Sequence, residues 1–243
     1  MPVKISIIIP AFNEERLLGE TLTHIQTASG AFTRHGWASE LIVCDNNSTD
    51  RTAEIARTAG ATVAFEPINQ IARARNCGAA AATGDWLLFV DADSHPSAGL
   101  FEDVIAAIES GRWLAGGSRI RLEAGHPFGS FVTWIWNGIS RWRRLLAGSF
   151  IFCEARTFRE LGGFSNELFA AEELDLSERL QVKARAQGKG LVILQRHPLT
   201  TSARKMRLYT TREHFKFLLR VLRNHRGILR DRAACHTWYD GRR

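Results

Sequence analysis

Short apolar runs alternate with segments of helical periodicity over the first hundred residues, and this alternation constrains the fold more than any other feature. The first run, residues 5–9, is mostly isoleucine and is followed by Pro10, which is typical of a buried parallel strand. Further runs of strand character cover residues 41–44, 61–65 and 86–90. Strands and helices that alternate through short connections predict a mostly parallel sheet covered by helices. The expected fold class is therefore α/β.

The rest of the chain is less regular but continues the same plan. Its expected elements are strands at residues 113–121, 150–153 and 191–194, and helices at residues 100–110, 157–161, 173–187 and 210–231. No internal repeat or Pro/Ser-rich linker interrupts the sequence. We therefore expect one boundary only, between a domain of residues 1–205 and a basic helical tail of residues 206–243.

Composition places the chain among ordinary globular proteins and sets its expected compartment. Of 243 residues, 45% are hydrophobic and 23% charged, which excludes the disordered and collagen-like classes. The four cysteines are widely spaced, which argues against a zinc site or a disulfide framework and for a reducing compartment. The first ten residues are too short for a signal peptide or a membrane span. A cytoplasmic location is therefore expected.

The positive charge is concentrated near the end of the chain. The net charge is +7, but residues 204–243 alone carry +9, so the remainder is slightly acidic. Residues 210–231 combine an apolar stripe with a basic one, and an amphipathic helix of this kind is typical of proteins that bind an anionic membrane surface. The same stripe could instead pack on the body of the protein.

A second segment also favours a membrane surface. Residues 128–139 are apolar and aromatic and are followed by Arg141-Trp142-Arg143-Arg144. The segment is about half as long as a membrane-spanning helix, and Trp with Arg is typical of the headgroup zone. Peripheral attachment to the inner face of a membrane, and a lipid-linked molecule as the partner, are therefore expected. Burial of the segment in a dimer is the alternative.

Acidic and amide side chains follow three of the predicted strands. They are Asn13 and Glu14, residues 45–47, and the pair Asp91 and Asp93. Ligands of open α/β sheets bind at the carboxyl ends of the strands, so these groups are expected to meet at one crevice. Two carboxylates two residues apart in an extended chain point to the same side and repel unless a cation lies between them. A hard divalent cation there would also hold a diphosphate. The simpler alternative is that one Asp caps the following turn and the other is solvated.

Four motifs, in order and spacing, resemble the family-2 glycosyltransferases with the GT-A fold. They read ISIIIPAFNEE, LIVCDNNSTDRT, ARNCGAAAATGDWLLFVDADS and LGGFSNELFAAEELDLSERL, and together they cover roughly residues 3–185. The resemblance implies transfer of a sugar from a nucleotide-sugar donor to a hydroxyl acceptor, with inversion at the anomeric carbon and help from Mn²⁺ or Mg²⁺. A UDP-sugar is the expected donor, with a GDP-sugar next, because UDP-sugars are more frequent in the family.

The resemblance also assigns roles to individual residues. Asp93 is expected to be a direct metal ligand, while Asp91 lies near both the ribose and the metal. The residues expected to bind the nucleotide-sugar are Pro10, Phe12, Glu14, Asp45, Arg75, Asn76 and Asp91.

The acidic pair before the late helix falls on Glu172 and Glu173. Its second member usually serves as the general base, so Glu173 is expected in that role, with Glu172 and Asp175 as alternatives. The family more often has Glu-Asp here, which makes Glu173 one methylene longer than usual. Without the resemblance, the pair would read as ordinary negative charge at a helix N-terminus.

Two residues near the end of the predicted domain complete the candidate site. His197, expected after the last strand, is a candidate third metal ligand, although a His before Pro is more often a turn residue. Arg204 follows on an expected loop that could close over the diphosphate.

Other functions fit the sequence less well. A nucleotidyltransferase would need a Gly-rich, Lys-containing loop after the first strand, which PAFNEERLLGE does not provide. A nucleic-acid-binding protein would explain the basic tail but not the ordered carboxylates. A sugar-nucleotide binder without catalytic activity remains open as an alternative.

Overall fold

The computed structural model describes residues 2–123 and 127–202, which fold into an α/β domain. Its elements, in chain order, are β1 (Lys4–Ala11), α1 (Leu18–Arg34), β2 (Ala38–Asp45), α2 (Thr52–Thr58), β3 (Thr62–Phe65), α3 (Ile71–Ala81), β4 (Trp86–Val90), β5 (Ser94–His95), α4 (Ala98–Glu109), β6 (Trp113–Leu122), α5 (Pro127–Arg143), β7 (Phe150–Glu154), α6 (Ala155–Glu160), α7 (Glu172–Ala186) and β8 (Gly190–Thr201).

All the strands in the described residues belong to one sheet, with the order β3-β2-β1-β4-β7-β6-β8-β5. The pairs β3-β2, β2-β1, β1-β4 and β6-β8 are parallel. The pairs β4-β7, β7-β6 and β8-β5 are antiparallel. The predicted mostly parallel sheet is thus confirmed, with β7 inserted against the direction of its neighbours.

Hydrophobic side chains are buried on both faces of the sheet, which explains why β1 is apolar at nearly every position. Ile5, Ile7 and Ile9 pack with α1 and α4 in one cluster. Ile8 belongs to a second cluster with residues of α3, α6 and α7. Because successive strand residues point to opposite faces, a strand covered on both sides must be apolar at nearly every position.

Three local expectations are wrong. The last strand runs to Thr201, well beyond residue 194, because its polar second half pairs with β6 and β5. Residues 128–143, for which no element was expected, lie in the helix α5. Asp91 and Asp93 do not lie in extended chain, because β4 ends at Val90 and a turn follows it.

The expected basic tail, residues 206–243, and Arg204 lie outside the described residues. The boundary near residue 205 therefore stays a prediction. Among the residues that the structure describes, no helix has both the length and the apolar character needed to cross a bilayer.

Candidate functional site

The carboxyl ends of β1, β2 and β4 lie side by side, as the sequence predicts. In the parallel register, Ala11 of β1 pairs with Asp45 of β2, and Ile8 of β1 pairs with Phe89 of β4. The loops that follow these three strands therefore emerge at the same edge of the sheet. This edge carries the expected acidic and amide side chains.

The loops after β1 and β2 are joined by hydrogen bonds. Asn13, in the left-handed region at φ 53°, accepts a hydrogen bond from Thr49 N at 2.8 Å. The backbone N–H of Asn13 donates to Ser48 Oγ at 3.0 Å, and Ser48 N donates to Asp45 Oδ1 at 3.0 Å. The N–H of Glu14 donates to Thr52 Oγ1 at 2.8 Å. The two loops therefore form one rigid unit around the expected nucleoside-binding residues.

Of those expected nucleoside-binding residues, Pro10, Glu14 and Asp45 are buried and Phe12 is half-buried. The structure brings all four to the carboxyl ends of β1 and β2. One carboxylate oxygen of Asp45 accepts a hydrogen bond from Ser48 N. This side chain therefore stabilises its own loop and also lies at the edge of the sheet.

Two buried amides, Asn46 and Gln70, extend this network, and only Gln70 was missed from the sequence. Asn46 donates to the carbonyls of Glu66 and Ile68 at 3.1 and 2.7 Å, and its Oδ1 accepts from Gln70 N at 2.9 Å. Gln70 in turn donates to the carbonyl of Leu168 at 2.8 Å. Asn46 belongs to a polar run visible in the sequence, whereas nothing in the sequence distinguishes Gln70.

The turn after β4 holds Asp91 and Asp93 at the centre of this edge. Ser94 N donates to Asp91 O at 3.1 Å and closes the turn. The turn is fixed from two sides, because Thr21 Oγ1 donates to Ala92 O at 2.8 Å and Ser202 N donates to Asp93 O at 3.0 Å. Asp93 is only 7% exposed.

Arg75 of α3 joins this turn to the N-terminus of α7. Its Nη2 lies 3.0 Å from Asp91 Oδ1 and 2.9 Å from the carbonyl of Gly148. Its Nη1 lies 2.5 Å from Glu172 Oε1. Gly148 permits this approach, since a Cβ there would lie 2.9 Å from Nη2. The guanidinium also lies 5.2 Å from the centre of the Phe164 ring.

In the structure Arg75 holds two carboxylates in place, and its expected contact with the nucleotide stays a prediction. It is 2% exposed, and both terminal nitrogens are already bonded. Burial lowers the pKa of a guanidinium, but the charges of Asp91, Glu172 and Glu173 outweigh burial and raise the pKa of Arg75 above its ordinary value. The side chain therefore remains a cation that holds two carboxylates in place.

The three acidic side chains at the start of α7 have different surroundings. Glu172 is buried and ion-paired with Arg75. Asp175 accepts two hydrogen bonds from Arg179, at 2.9 and 2.7 Å, and is thus paired with a cation of its own helix. Glu173 is half-buried, and burial together with the adjacent charge of Glu172 raises its pKa to about 8. Asp175 is therefore the weakest of the three candidates for the base.

Asn76 stabilises the turn that follows α6, and its expected contact with the nucleotide stays a prediction. Its Nδ2 donates to Phe164 O at 2.9 Å, and its Oδ1 accepts from Phe164 N at 2.9 Å. Gly163 has φ 71°, and a Cβ there would lie 2.5 Å from Asn76 Oδ1. The paired bonds hold Phe164, whose ring contacts Arg75.

His197 is bonded to Asp103 in the structure, and its expected role as a metal ligand stays a prediction. It falls at an irregularity of β8, between the pairs Ser118–Leu194 and Ile120–Leu199. Its Nδ1 lies 3.0 Å from Asp103 Oδ2 on α4, and its N–H donates to the same oxygen at 3.2 Å. The ring packs against α4, four residues before the strand reaches Thr201 and the turn after β4.

The remaining donor set fits a hard divalent cation. Asp91 and Asp93 supply carboxylate oxygens, which Mg²⁺ and Mn²⁺ prefer as ligands. Arg75 donates a hydrogen bond to Oδ1 of Asp91 and so fixes the orientation of that carboxylate.

Comparison with known proteins agrees with this arrangement. Residues 6–155 match the model of the family described as glycosyl transferase family 2. The chain is 33% identical over 115 residues to an uncharacterized glycosyltransferase of Mycobacterium bovis, covering 47% of this chain and 48% of that protein. It is 31% identical over 125 residues to the dolichol-phosphate mannosyltransferase of Pyrococcus furiosus, covering 48% of this chain and 33% of that protein. The matches thus span about half of the first relative and a third of the second.

Solved structures share the GT-A fold expected from the sequence. The mannosyltransferase PcManGT of Pyrobaculum calidifontis, in complex with GDP-Man and Mn²⁺, has a TM-score of 0.67 at 17% identity, over 95% of this chain and 63% of that one. Staphylococcus aureus TarS has a TM-score of 0.65 at 19% identity, over 83% and 61%. Glucosyl-3-phosphoglycerate synthase of Mycobacterium tuberculosis, with Mn²⁺, UDP and phosphoglyceric acid, has a TM-score of 0.62 at 17% identity, over 96% and 78%.

Proposed function

Because the chain belongs to glycosyl transferase family 2, we propose that it transfers a sugar from a nucleotide-sugar to a hydroxyl acceptor in one inverting displacement. The observation that carries this proposal is the bridge formed by Arg75. One buried guanidinium holds Asp91, beside the expected metal site, and Glu172, beside the expected base. A single displacement needs the leaving group and the base to be held in one fixed arrangement.

Glu173 is the proposed base. The acceptor hydroxyl attacks the anomeric carbon and gives its proton to the Glu173 carboxylate, while the bond from that carbon to the diphosphate breaks and the nucleoside diphosphate leaves with the electron pair. A carboxylate with a raised pKa accepts a proton more readily, and an effective base has a pKa near the working pH. Glu172 is less suited because its carboxylate is committed to Arg75.

Asp91 and Asp93 are the proposed ligands of Mn²⁺ or Mg²⁺, with Asp93 binding directly. When bound, the metal ion neutralises the charge that develops on the departing diphosphate. Pro10, Phe12, Glu14 and Asp45 then line the nucleoside. Solved complexes of structural neighbours contain Mn²⁺ or Mg²⁺ together with a nucleotide, which supports the proposal.

A UDP-sugar is the proposed donor. TarS has been solved with UDP-GlcNAc and with UDP, and glucosyl-3-phosphoglycerate synthase with UDP, whereas PcManGT was solved with GDP-Man. A GDP-sugar is therefore the second candidate.

Release of nucleoside diphosphate from UDP-glucose, UDP-GlcNAc and GDP-mannose, with Mn²⁺ and a lipid extract as acceptor, tests the proposal. One donor is expected to give a glycosylated product with inverted configuration. Glu173→Gln is expected to keep donor binding and to lose transfer. Donor binding without transfer by the wild type, across a broad range of acceptors, would favour the alternative of a catalytically inactive binder.

We further propose that the acceptor is lipid-linked and that α5 rests on an anionic membrane surface, on its cytoplasmic side. Asn137 anchors the inner side of α5, because its side chain exchanges two hydrogen bonds with the backbone of Ile120, at 2.8 and 2.9 Å. The outer side is apolar instead, and Trp134 and Trp142 are 71% and 80% exposed. The other exposed apolar residues of this helix are Phe131, Val132, Ile135 and Ile139.

The charges around this face favour anionic lipid as the occupant. Five exposed arginines border it: Arg119, Arg121, Arg141, Arg143 and Arg144. A groove of about 620 Å³ between α5 and β6 combines three of these arginines with Trp134 and Ile135. Aromatic side chains beside arginines match the headgroup zone, where rings are half wet and lipid phosphates are negative.

Flotation with phosphatidylglycerol vesicles tests this part. The wild type is expected to float with the vesicles at low salt, and Trp134→Ser/Trp142→Ser to remain in solution. Val182→Ser is the matched control, because Val182 is 69% exposed on α7, outside this face. A wild type that stays in solution, or that forms a dimer through α5, would overturn the membrane proposal and leave the transferase proposal intact.

A further inference from the structure

Two histidines and a glutamate meet beside the turn after β4. Glu20 and His24 are four residues apart on α1, and His95 belongs to β5. The two imidazole rings stack with their centres 4.5 Å apart and their planes at 14°. One donor atom from each of the three side chains lies within 4.8 Å of the other two. None of these residues has a role in the proposed transfer.

The carboxylate of Glu123 lies beside the ring of His95, with Oε1 3.3 Å from Nδ1. The side chain of His95 is 11% exposed, and its buried Nε2 has no hydrogen-bond partner among the residues that the structure describes. A buried nitrogen without a partner is unfavourable unless something binds it.

This arrangement matches one found at transition-metal sites. A histidine that binds a metal through one nitrogen usually donates its other N–H to a carboxylate, which orients the ring and raises its basicity. Here Glu123 is that carboxylate, and the free nitrogen belongs to a cluster that already contains a second imidazole and a glutamate.

We propose that Glu20, His24 and His95 bind a transition-metal cation, of which Zn²⁺ is the best match, at a site separate from Asp91 and Asp93. Two imidazoles and one carboxylate suit Zn²⁺ and its neighbours, whereas Mg²⁺ prefers oxygen ligands alone. A water molecule completes a tetrahedral set. The sequence argument against zinc concerned cysteine spacing, and this site contains no cysteine.

Only small movements are needed to close the site. Nitrogen ligands of tetrahedral Zn²⁺ lie about 3.3 Å apart, given bond lengths of about 2.0 Å. Glu20 and His24 are exposed, with side chains 61% and 47% accessible, and can rotate toward the buried His95. The ion would then join α1 to β5, two residues beyond Asp93, and so brace the turn that carries the donor-site carboxylates.

Calorimetric titration of Zn²⁺ into untagged, chelator-treated protein tests the proposal, with Co²⁺ as a spectroscopic probe. The wild type is expected to bind Zn²⁺ in the presence of excess Mg²⁺ and to give the visible spectrum of tetrahedral Co²⁺. His24→Ala is expected to weaken Zn²⁺ binding at least tenfold and to abolish that spectrum. His35→Ala is the matched control, because His35 is an exposed histidine 2.7 Å from Glu109, away from the site.

Asp93→Asn separates the two sites. It is expected to leave the Zn²⁺ affinity and the Co²⁺ spectrum unchanged. Zn²⁺ binding that survives His24→Ala, or that disappears with Asp93→Asn alone, would overturn the proposal, as would a wild type that does not bind Zn²⁺.

Discussion

The guanidinium of Arg75 lies 2.5 Å from the carboxylate of Glu172, which is 97 residues later in the chain. Through its other terminal nitrogen, the same guanidinium binds Asp91. One buried cation thus holds two carboxylates from separate parts of the fold, Asp91 in the turn after β4 and Glu172 in α7. The geometry of the whole site depends on this side chain.

Arg75→Met is expected to destabilise the fold, because it leaves Glu172 buried without its partner. Breaking a buried ion pair in this way costs about 3–5 kcal/mol. Denaturant unfolding measures the change. Arg73→Met is the control, since Arg73 lies on the same helix and its side chain donates a hydrogen bond to Gln70 rather than to a buried carboxylate. A loss no larger than that of the control would contradict the assigned role of Arg75.

Glu173→Gln and Glu172→Gln are expected to fail in different ways. Removing the proposed base should lower kcat by about 10²–10⁴-fold, with stability and donor binding retained. Glu172→Gln should weaken the ion pair with Arg75 and lower the free energy of unfolding as well. Steady-state kinetics beside thermal unfolding distinguish the two. Equal transfer by Glu173→Gln and the wild type would exclude Glu173 as the base.

The stability of the metal-free protein is expected to fall as the pH rises from about 5 to about 8. Burial raises the pKa of Glu173 from its ordinary 4.5 to about 8, so in this range the folded state binds the proton more tightly than the unfolded state. The stabilisation is complete below the unfolded pKa and is lost as the pH passes the folded one. Glu173→Gln should flatten this part of the stability profile measured by denaturant unfolding. An unchanged slope would show that the pKa of Glu173 is not raised.

Asn76→Ala is expected to loosen the turn that holds Phe164 against Arg75. Both backbone groups of Phe164 would lose their partner, and each buried unsatisfied group costs about 1–3 kcal/mol. Asn166→Ala is the control, because Asn166 is exposed and shares one hydrogen bond with Asn76 but none with the backbone of Phe164. Thermal unfolding of the two variants gives the comparison, and equal melting temperatures would argue against this role of Asn76.

The half of the sheet built from β1 to β4 could be predicted because β1 and β4 are buried on both faces and are almost entirely apolar. Residues 86–90 are apolar throughout, and Ser6 alone interrupts the run of residues 5–9. The second half of β8 could not, since residues 195–198 are polar or proline and lie at the irregularity between the pairs that Leu194 and Leu199 make with β6. The helix α5 was missed because its outward face is apolar, which hides the usual helical periodicity.

In the candidate site, too, local features could be predicted from the sequence and contacts between distant residues could not. Local patterns predicted that acidic residues would meet at the ends of β1, β2 and β4, and the parallel register brings them together. The roles of Arg75 and Asn76 could not be predicted, because their partners Glu172 and Phe164 are 97 and 88 residues away. The bond of His197 to Asp103 could not be predicted either, because it depends on the packing of α4 against β8.

Binding of nucleoside diphosphates tests the central claim most directly. Thermal shifts with UDP, GDP, CMP and dTDP, each with and without Mn²⁺, are compared for the wild type and Asp93→Asn. A nucleotide at 100 times its dissociation constant should add about 2.7 kcal/mol of stability. We expect one nucleoside diphosphate, foremost UDP, to stabilise the wild type only with Mn²⁺ and to lose this effect in Asp93→Asn. The absence of a shift with every nucleotide would contradict the proposed function.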